Sequence, residues 1–168
     1  LIIVRSRVRV PPPLPRHYPV FMVNPDIEGK TYPRSEAYVV GREKIREFAR
    51  ATMAGEASLD LDKALAAGHA DLVAPPTFPI VLQEFGLKLV IADKEAELDF
   101  SRVVHGDQKF VFERAIVAGD VLTSQLQVAR VKSLGGNHMV SFETKIYDPS
   151  ETLVCTALST LVVRGADA

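Results

Sequence analysis

The chain has 168 residues, 47% of them hydrophobic and 24% charged, with a formal net charge of −1. That length fills one hydrophobic core and makes a single domain the default. Near-neutral charge with no basic run after the first residues excludes nucleic-acid binding through phosphate neutralisation. One cysteine excludes an internal disulfide, which fits a reducing, cytoplasmic setting.

Residues 1–21, LIIVRSRVRVPPPLPRHYPVF, carry several arginines, no acid and a PPPLP run suited to an extended polyproline conformation. The stretch lacks the uninterrupted apolar segment of a secretory signal. It has the composition of an organelle transit peptide, but its single serine argues only weakly for one. It reads as a leader outside the domain, with Met22 the natural start and residues 22–168 a single domain, so His17 has no function. GKTYP (29–33) then predicts a turn and 38–40 a short strand. REKIREFARATMAG (42–55) predicts an amphipathic helix with Ile45, Phe48, Ala49, Thr52 and Met53 inward and Gly55 as its stop. A short helix, LDKALAAGH (61–69), ends at Gly68.

The next stretch, APPTFPIVLQEFGLKLVIA (74–92), organises the rest. Phe78, Val81, Leu82, Phe85 and Leu89 recur on one helical face, and Ile80, Leu87, Val90 and Ile91 make much of the remainder apolar. Such a helix is expected to be buried nearly all round. Pro75 and Pro76 stop helix before it, Thr77 is placed to cap it, and Pro79 sits where a missing N–H costs nothing. Interrupted by Gln83, Glu84 and Lys88, it is too short and too polar to span a membrane.

After the polar connector DKEAELDFS (93–101) the apolar period changes from helical to two. QKFVFERAIV (108–117) puts Phe110 and Phe112 on one face. VLTSQLQVARVKSL (121–134) follows, and then NHMVSFETKIYD (137–148), which alternates Val140, Phe142, Thr144 and Ile146 against Ser141, Glu143 and Lys145. AGD (118–120), LGGN (134–137) and DPS (148–150) supply the turns. The run 153–164 is apolar on both faces, as in a central strand, and holds Cys155 as a buried small hydrophobe. Helices, a buried helix and then an antiparallel meander predict an α+β hot-dog fold, an antiparallel sheet wrapped around a central buried helix.

YVVGREKIREFA (38–49), LVAPPTF (72–78), FSRVVHGDQKFVFER (100–114) and VAGDVL (117–122) carry a family resemblance. From about residue 27 to 164 the chain resembles the MaoC-like hot-dog family of (R)-specific enoyl-thioester hydratases and (3R)-hydroxyacyl-ACP dehydratases. Within it, the chain is most similar to the actinobacterial group of non-catalytic dehydratase subunits. It also resembles the N-terminal half of the double-hot-dog hydratase of peroxisomal multifunctional enzymes, the half that shapes the acyl tunnel. In that family the other half carries Asp-x-Asn-Pro-x-His, whose Asp and His activate a water and move a proton across the double bond. Here the corresponding stretch is 55–62, with Glu56 near the Asp position, Ser58 for Asn, Leu59 for Pro and no His. Asp60 and Asp62 each read as a helix cap or a solvated charge, since an unperturbed carboxylate on a solvated turn is a poor general acid or base.

His105, Gly106 and Gln108 are the candidate substrate-binding residues in the strand region, with Asp107 between them; His105 and Asp107 are the weak catalytic candidates. Pro76, Thr77 and Phe78 complete the set, because N–H groups at a helix start would polarise a thioester carbonyl. His69 and His138 read as structural. The separated histidines offer too few ligands for zinc, and no cofactor is expected. The resemblance implies an acyl-CoA or acyl-ACP thioester as ligand and a homodimer, or a heterodimer with a MaoC-like catalytic subunit. A hot-dog acyl-thioesterase and a non-catalytic acyl-thioester binding module stay open as alternatives.

Overall fold

The computed structural model describes residues 23–165; the leader reading of 1–21, His17 included, lies outside them. The elements run β1 (Tyr38–Val39), α1 (Arg42–Ala51), α2 (Leu61–Ala66), α3 (Ile80–Ala92), β2 (Val103–Phe112), β3 (Val121–Leu134), β4 (Asn137–Tyr147) and β5 (Leu153–Val163), with short 3-10 turns before β1, between α1 and α2, and twice between α3 and β2. They form one five-stranded antiparallel sheet in the order β1-β3-β4-β5-β2, curled around α3. This is the hot-dog fold, and among the described residues no helix is long and apolar enough to cross a membrane.

Only β3, β4 and β5 form the expected meander. β2 does not pair with β3, the next strand in the chain, but crosses to the far side of β5. The two edges differ as a result. Residues 29–35 run along the outer edge of β3, exchanging backbone hydrogen bonds from Gly29 N–H to Val128 O (2.8 Å) and from Val128 N–H to Lys30 O (2.9 Å). The segment expected as a turn therefore turns at Gly29 (φ +84°) and then becomes an edge cover. No backbone hydrogen bond among the described residues reaches the outer edge of β2.

The inner face alternates as period two requires. Leu122, Ser124, Leu126 and Val128 of β3 face Val140, Phe142, Thr144 and Ile146 of β4, all buried. Helix α3 lies across this face, with Leu82 in one half of the core and Val90 in the other. Between them Gly86 rests on Leu126 so closely that a Cβ at Gly86 would lie 2.4 Å from the Leu126 Cβ. Two polar ties hold the helix there: Ser124 Oγ donates to Leu82 O (2.8 Å), and Gln83 Nε2 donates to Ser159 Oγ of β5 (2.6 Å). The helix end is fixed by Asp93, which accepts from Lys30 Nζ and Tyr32 Oη, each at 2.7 Å; these two partners hold its carboxyl below the usual carboxylate range.

Three local expectations change. The helix is not buried all round: Leu89 and Ile91 are each 40% exposed, because nothing in the described chain covers the side away from the sheet. Thr77 does not cap α3. The N-cap is Pro79, and a turn over the preceding residues satisfies the first N–H groups instead, with Ile80 N–H on Thr77 O and Val81 N–H on Phe78 O. Helix α1 ends before Gly55: Met53 takes the left-handed conformation (φ +52°), and Ala54 N–H returns to Ala49 O at 2.9 Å. Met53, expected inward, is consequently 92% exposed, and Thr52 is exposed with it.

Thr144 is fully buried between Leu126 and Ala157, and its hydroxyl makes no hydrogen bond. An unpaired buried hydroxyl costs about 1–3 kcal/mol, and valine has the same shape without it. Thr144→Val is therefore expected to raise stability by about 1 kcal/mol, or ~2–4 °C in melting temperature. A lower melting temperature would show that the hydroxyl is satisfied after all.

Candidate functional site

A β-bulge in the open edge strand builds the site. Regular strand alternation would put His105 and Gln108, three residues apart, on opposite faces. The pairing of β2 with β5 slips between His105 and Asp107, so that His105 sits opposite Leu161, Asp107 opposite Thr160 and Gln108 opposite Ser159. The extra residue is Gly106, and it reverses the phase of the strand. His105 and Gln108 then share the inner face with Val103 and Phe110. Glycine eases the bulge, because a Cβ there would lie 3.1 Å from Thr160 O and 3.2 Å from Val162 Cγ2, a tight contact.

The same slip puts Asp107 on the outer face, since Thr160 and Leu161 are consecutive in β5. His105 and Asp107 are therefore not brought together as an acid–base pair. His105 instead lines a cleft of ≈ 220 Å³ between α3, β2 and β5. Helix α3 contributes Ile80, Gln83, Glu84 and Leu87; Phe100, Val103, His105 and Gln108 form the opposite wall, and Ser159 and Leu161 of β5 the floor. His105 forms no ion pair with Glu84 or any other carboxylate among the described residues.

Pro76, Thr77 and Phe78 do not line this cleft. Pro76 and Thr77 are exposed ahead of α3, while Phe78 is buried in the core, edge-on to Phe48 with ring centroids 5.4 Å apart. The Phe78 N–H is occupied by Pro75 O (2.8 Å). A depression of ≈ 430 Å³ along Pro33–Tyr38, Phe85 and Leu89 is larger, but it contains no buried unpaired polar atom. The first cleft holds three: Gln83 Oε1, Gln108 Oε1 and Gln108 Nε2. Sequence reasoning missed Gln83 and Ser159. A lone amide on a nearly apolar helix was the available signal for Gln83; nothing local marked Ser159.

The other candidates are structural. Burial pushes the Cys155 thiol up to about 11, so it stays protonated and is no nucleophile. His138 bonds across its hairpin, Nδ1 lying 2.9 Å from Ser133 Oγ, and His69 N–H closes the end of α2 on Ala64 O (3.1 Å).

Residues 27–157 match the family described as "FAS1-like, dehydratase domain region". The chain belongs to this dehydratase-domain family. A UPF0336 protein of Leifsonia xyli subsp. xyli is 58% identical over 144 residues, spanning 85% of this chain and 97% of that relative. Among solved structures, a chain of the HadBC (3R)-hydroxyacyl-ACP dehydratase complex from Mycobacterium tuberculosis is 31% identical with a TM-score of 0.73, over 83% of this chain and 99% of that one. A MaoC-like dehydratase is 26% identical with a TM-score of 0.74, and there the match covers 83% of this chain but 43% of the neighbour.

In this dehydratase domain residues 55–62, the stretch expected to correspond to the family's acid/base motif, lie away from the cleft. Glu56–Ser58 form a 3-10 turn, with Glu56 exposed and 3.6 Å from Lys63 Nζ. Asp60 caps α2, accepting from Asp62 N–H (2.9 Å) and Lys63 N–H (3.2 Å), one of the two roles read for it from sequence. None of residues 55–62 lines the cleft.

Proposed function

We propose that this chain is a subunit of a (3R)-hydroxyacyl-thioester dehydratase, equally an enoyl-thioester hydratase, in which it binds the acyl thioester while a second MaoC-like hot-dog subunit supplies the Asp and His. One observation carries the reading: the fold and family are those of a dehydratase, yet the cleft holds a single histidine with no carboxylate partner, and 55–62 holds no histidine at all. Hydration of an enoyl thioester needs a base to activate water and an acid to deliver a proton to the neighbouring carbon. His105 and Glu84 line the cleft without pairing, and 55–62 lacks the histidine of Asp-x-Asn-Pro-x-His, which supports assigning both roles to the partner. What the cleft offers is apolar wall from Ile80, Leu87, Phe100, Val103 and Leu161, with His105 as a polar group toward a thioester carbonyl and Gln108 on the same face. Pro76 and Thr77, exposed at the start of α3, are placed to meet either the carrier arm or the partner.

The uncovered edge of β2 supports the second subunit. A ten-residue edge strand with exposed Val104, Val111 and Phe112 is a template for pairing with another sheet. That the similar Mycobacterium tuberculosis chain comes from a two-component complex points the same way. The test follows the enoyl chromophore of a trans-2-enoyl-CoA with the full chain alone, and then co-expressed with a MaoC-like protein that carries the intact motif. Hydration only in the mixture is expected. Equal hydration by the chain alone would sink the reading, and release of free thiol without hydration would replace it with thioesterase activity.

A further inference from the structure

Gln83 is 4% exposed, on a helix otherwise apolar where it meets the sheet. Its amide nitrogen is committed to Ser159 Oγ at 2.6 Å, while its Oε1 faces no donor. Across the cleft the buried amide of Gln108 has both its Oε1 and its Nε2 without partners. Thr144 differs, because it is fully buried and lines none of the clefts described among residues 23–165. Here the two glutamines that carry three unpartnered polar atoms both line one space of ≈ 220 Å³.

We infer that Gln83, Gln108 and Ser159 form a subsite for an uncharged group that both donates and accepts a hydrogen bond, as an alcohol or a secondary amide does. The inference rests on the acyl-thioester reading and says which part of that ligand this chain recognises. The group donates to Gln83 Oε1 and accepts from Gln108 Nε2. Flipping either amide exchanges donor for acceptor without changing the demand for both. A bare hydrocarbon would leave all three atoms unpaired. An anion would face the Glu84 carboxylate, and any ion would lose its hydration against Leu87, Val103 and Leu161. An acyl thioester offers two sources of the right chemistry: a hydroxyl on the acyl chain and the amides of the carrier arm.

The test compares binding of decanoyl-CoA and (3R)-hydroxydecanoyl-CoA to the full chain and to Gln83→Met and Gln108→Met, near-isosteric changes that remove the amides. If the hydroxyl is the ligand, the native chain binds the hydroxy form ~10-fold more tightly and both variants erase that preference. If the carrier amide is the ligand, both thioesters weaken equally, by ~10-fold. Either result supports the subsite. Unchanged affinity for both ligands in folded variants, judged by a cooperative thermal transition, would overturn it and leave the acyl-thioester reading standing. Failure of the native chain to bind either ligand would overturn that reading as well.

Discussion

Replacing Gly86 with alanine is expected to destabilise the protein by about 2 kcal/mol, a fall of ~4–8 °C in melting temperature. Helix propensity alone argues the reverse, since alanine is better than glycine in a helix interior by about 1 kcal/mol. Packing decides the sign. The added methyl would lie 2.4 Å from the Leu126 Cβ and 3.1 Å from its Cδ1. A Cβ is anchored to the backbone and cannot rotate away, and Leu126 is fully buried in β3 between the edge cover and β4. Helix α3 would have to lift from the sheet, stretching the Ser124–Leu82 and Gln83–Ser159 ties at once. Overpacking of this kind costs about 1–3 kcal/mol and more when nothing yields. Gly55→Ala, where nothing lies within 4 Å, is the control and is expected to be near neutral. A melting temperature for Gly86→Ala at or above the native value would mean that α3 does not approach the sheet this closely.

The double substitution Val111→Lys/Phe112→Lys is expected to abolish co-purification with a MaoC-like partner and to lower the activity of the mixture by ~100-fold. Buried aromatic anchors commonly contribute about 2 kcal/mol or more to an interface, and lysines on an edge strand oppose pairing with another sheet. Phe112 is 38% and Val111 40% exposed, so the chain itself is expected to stay folded, with a melting temperature within a few degrees of native. Phe112→Leu keeps apolar area at the edge and should retain partner and activity. Full activity in the double variant would place the partner somewhere other than along β2.

The repeat lengths of the hydrophobic pattern located most of the structure. The core helix, the strands β3, β4 and β5 with their inward faces, and the turns at 118–120, 134–137 and 148–150 are all visible as local regularities of period 3.6 or 2. So is the missing histidine in 55–62, because absence from a short motif is a statement about residues alone. The pairing of β2 with β5, the cover over β3 and the partly open side of α3 are not of that kind. Each depends on which distant segment comes alongside, and period-two alternation is the same whichever neighbour a strand has.

The site divides in the same way. His105 and Gln108 stood out as polar residues at a strand entry, but their common face exists only because Gly106 is squeezed out of the ladder against Thr160. That slip also separates His105 from Asp107, a pairing that adjacency in sequence had suggested. Gln83 and Ser159 are 76 residues apart and meet only through the seating of α3 on the sheet. The sequence by itself determined the elements and the absence of a histidine from 55–62, because both are local. The tertiary structure alone decided which polar groups share a cleft and which edge is left open, because these depend on strand order and on a one-residue slip.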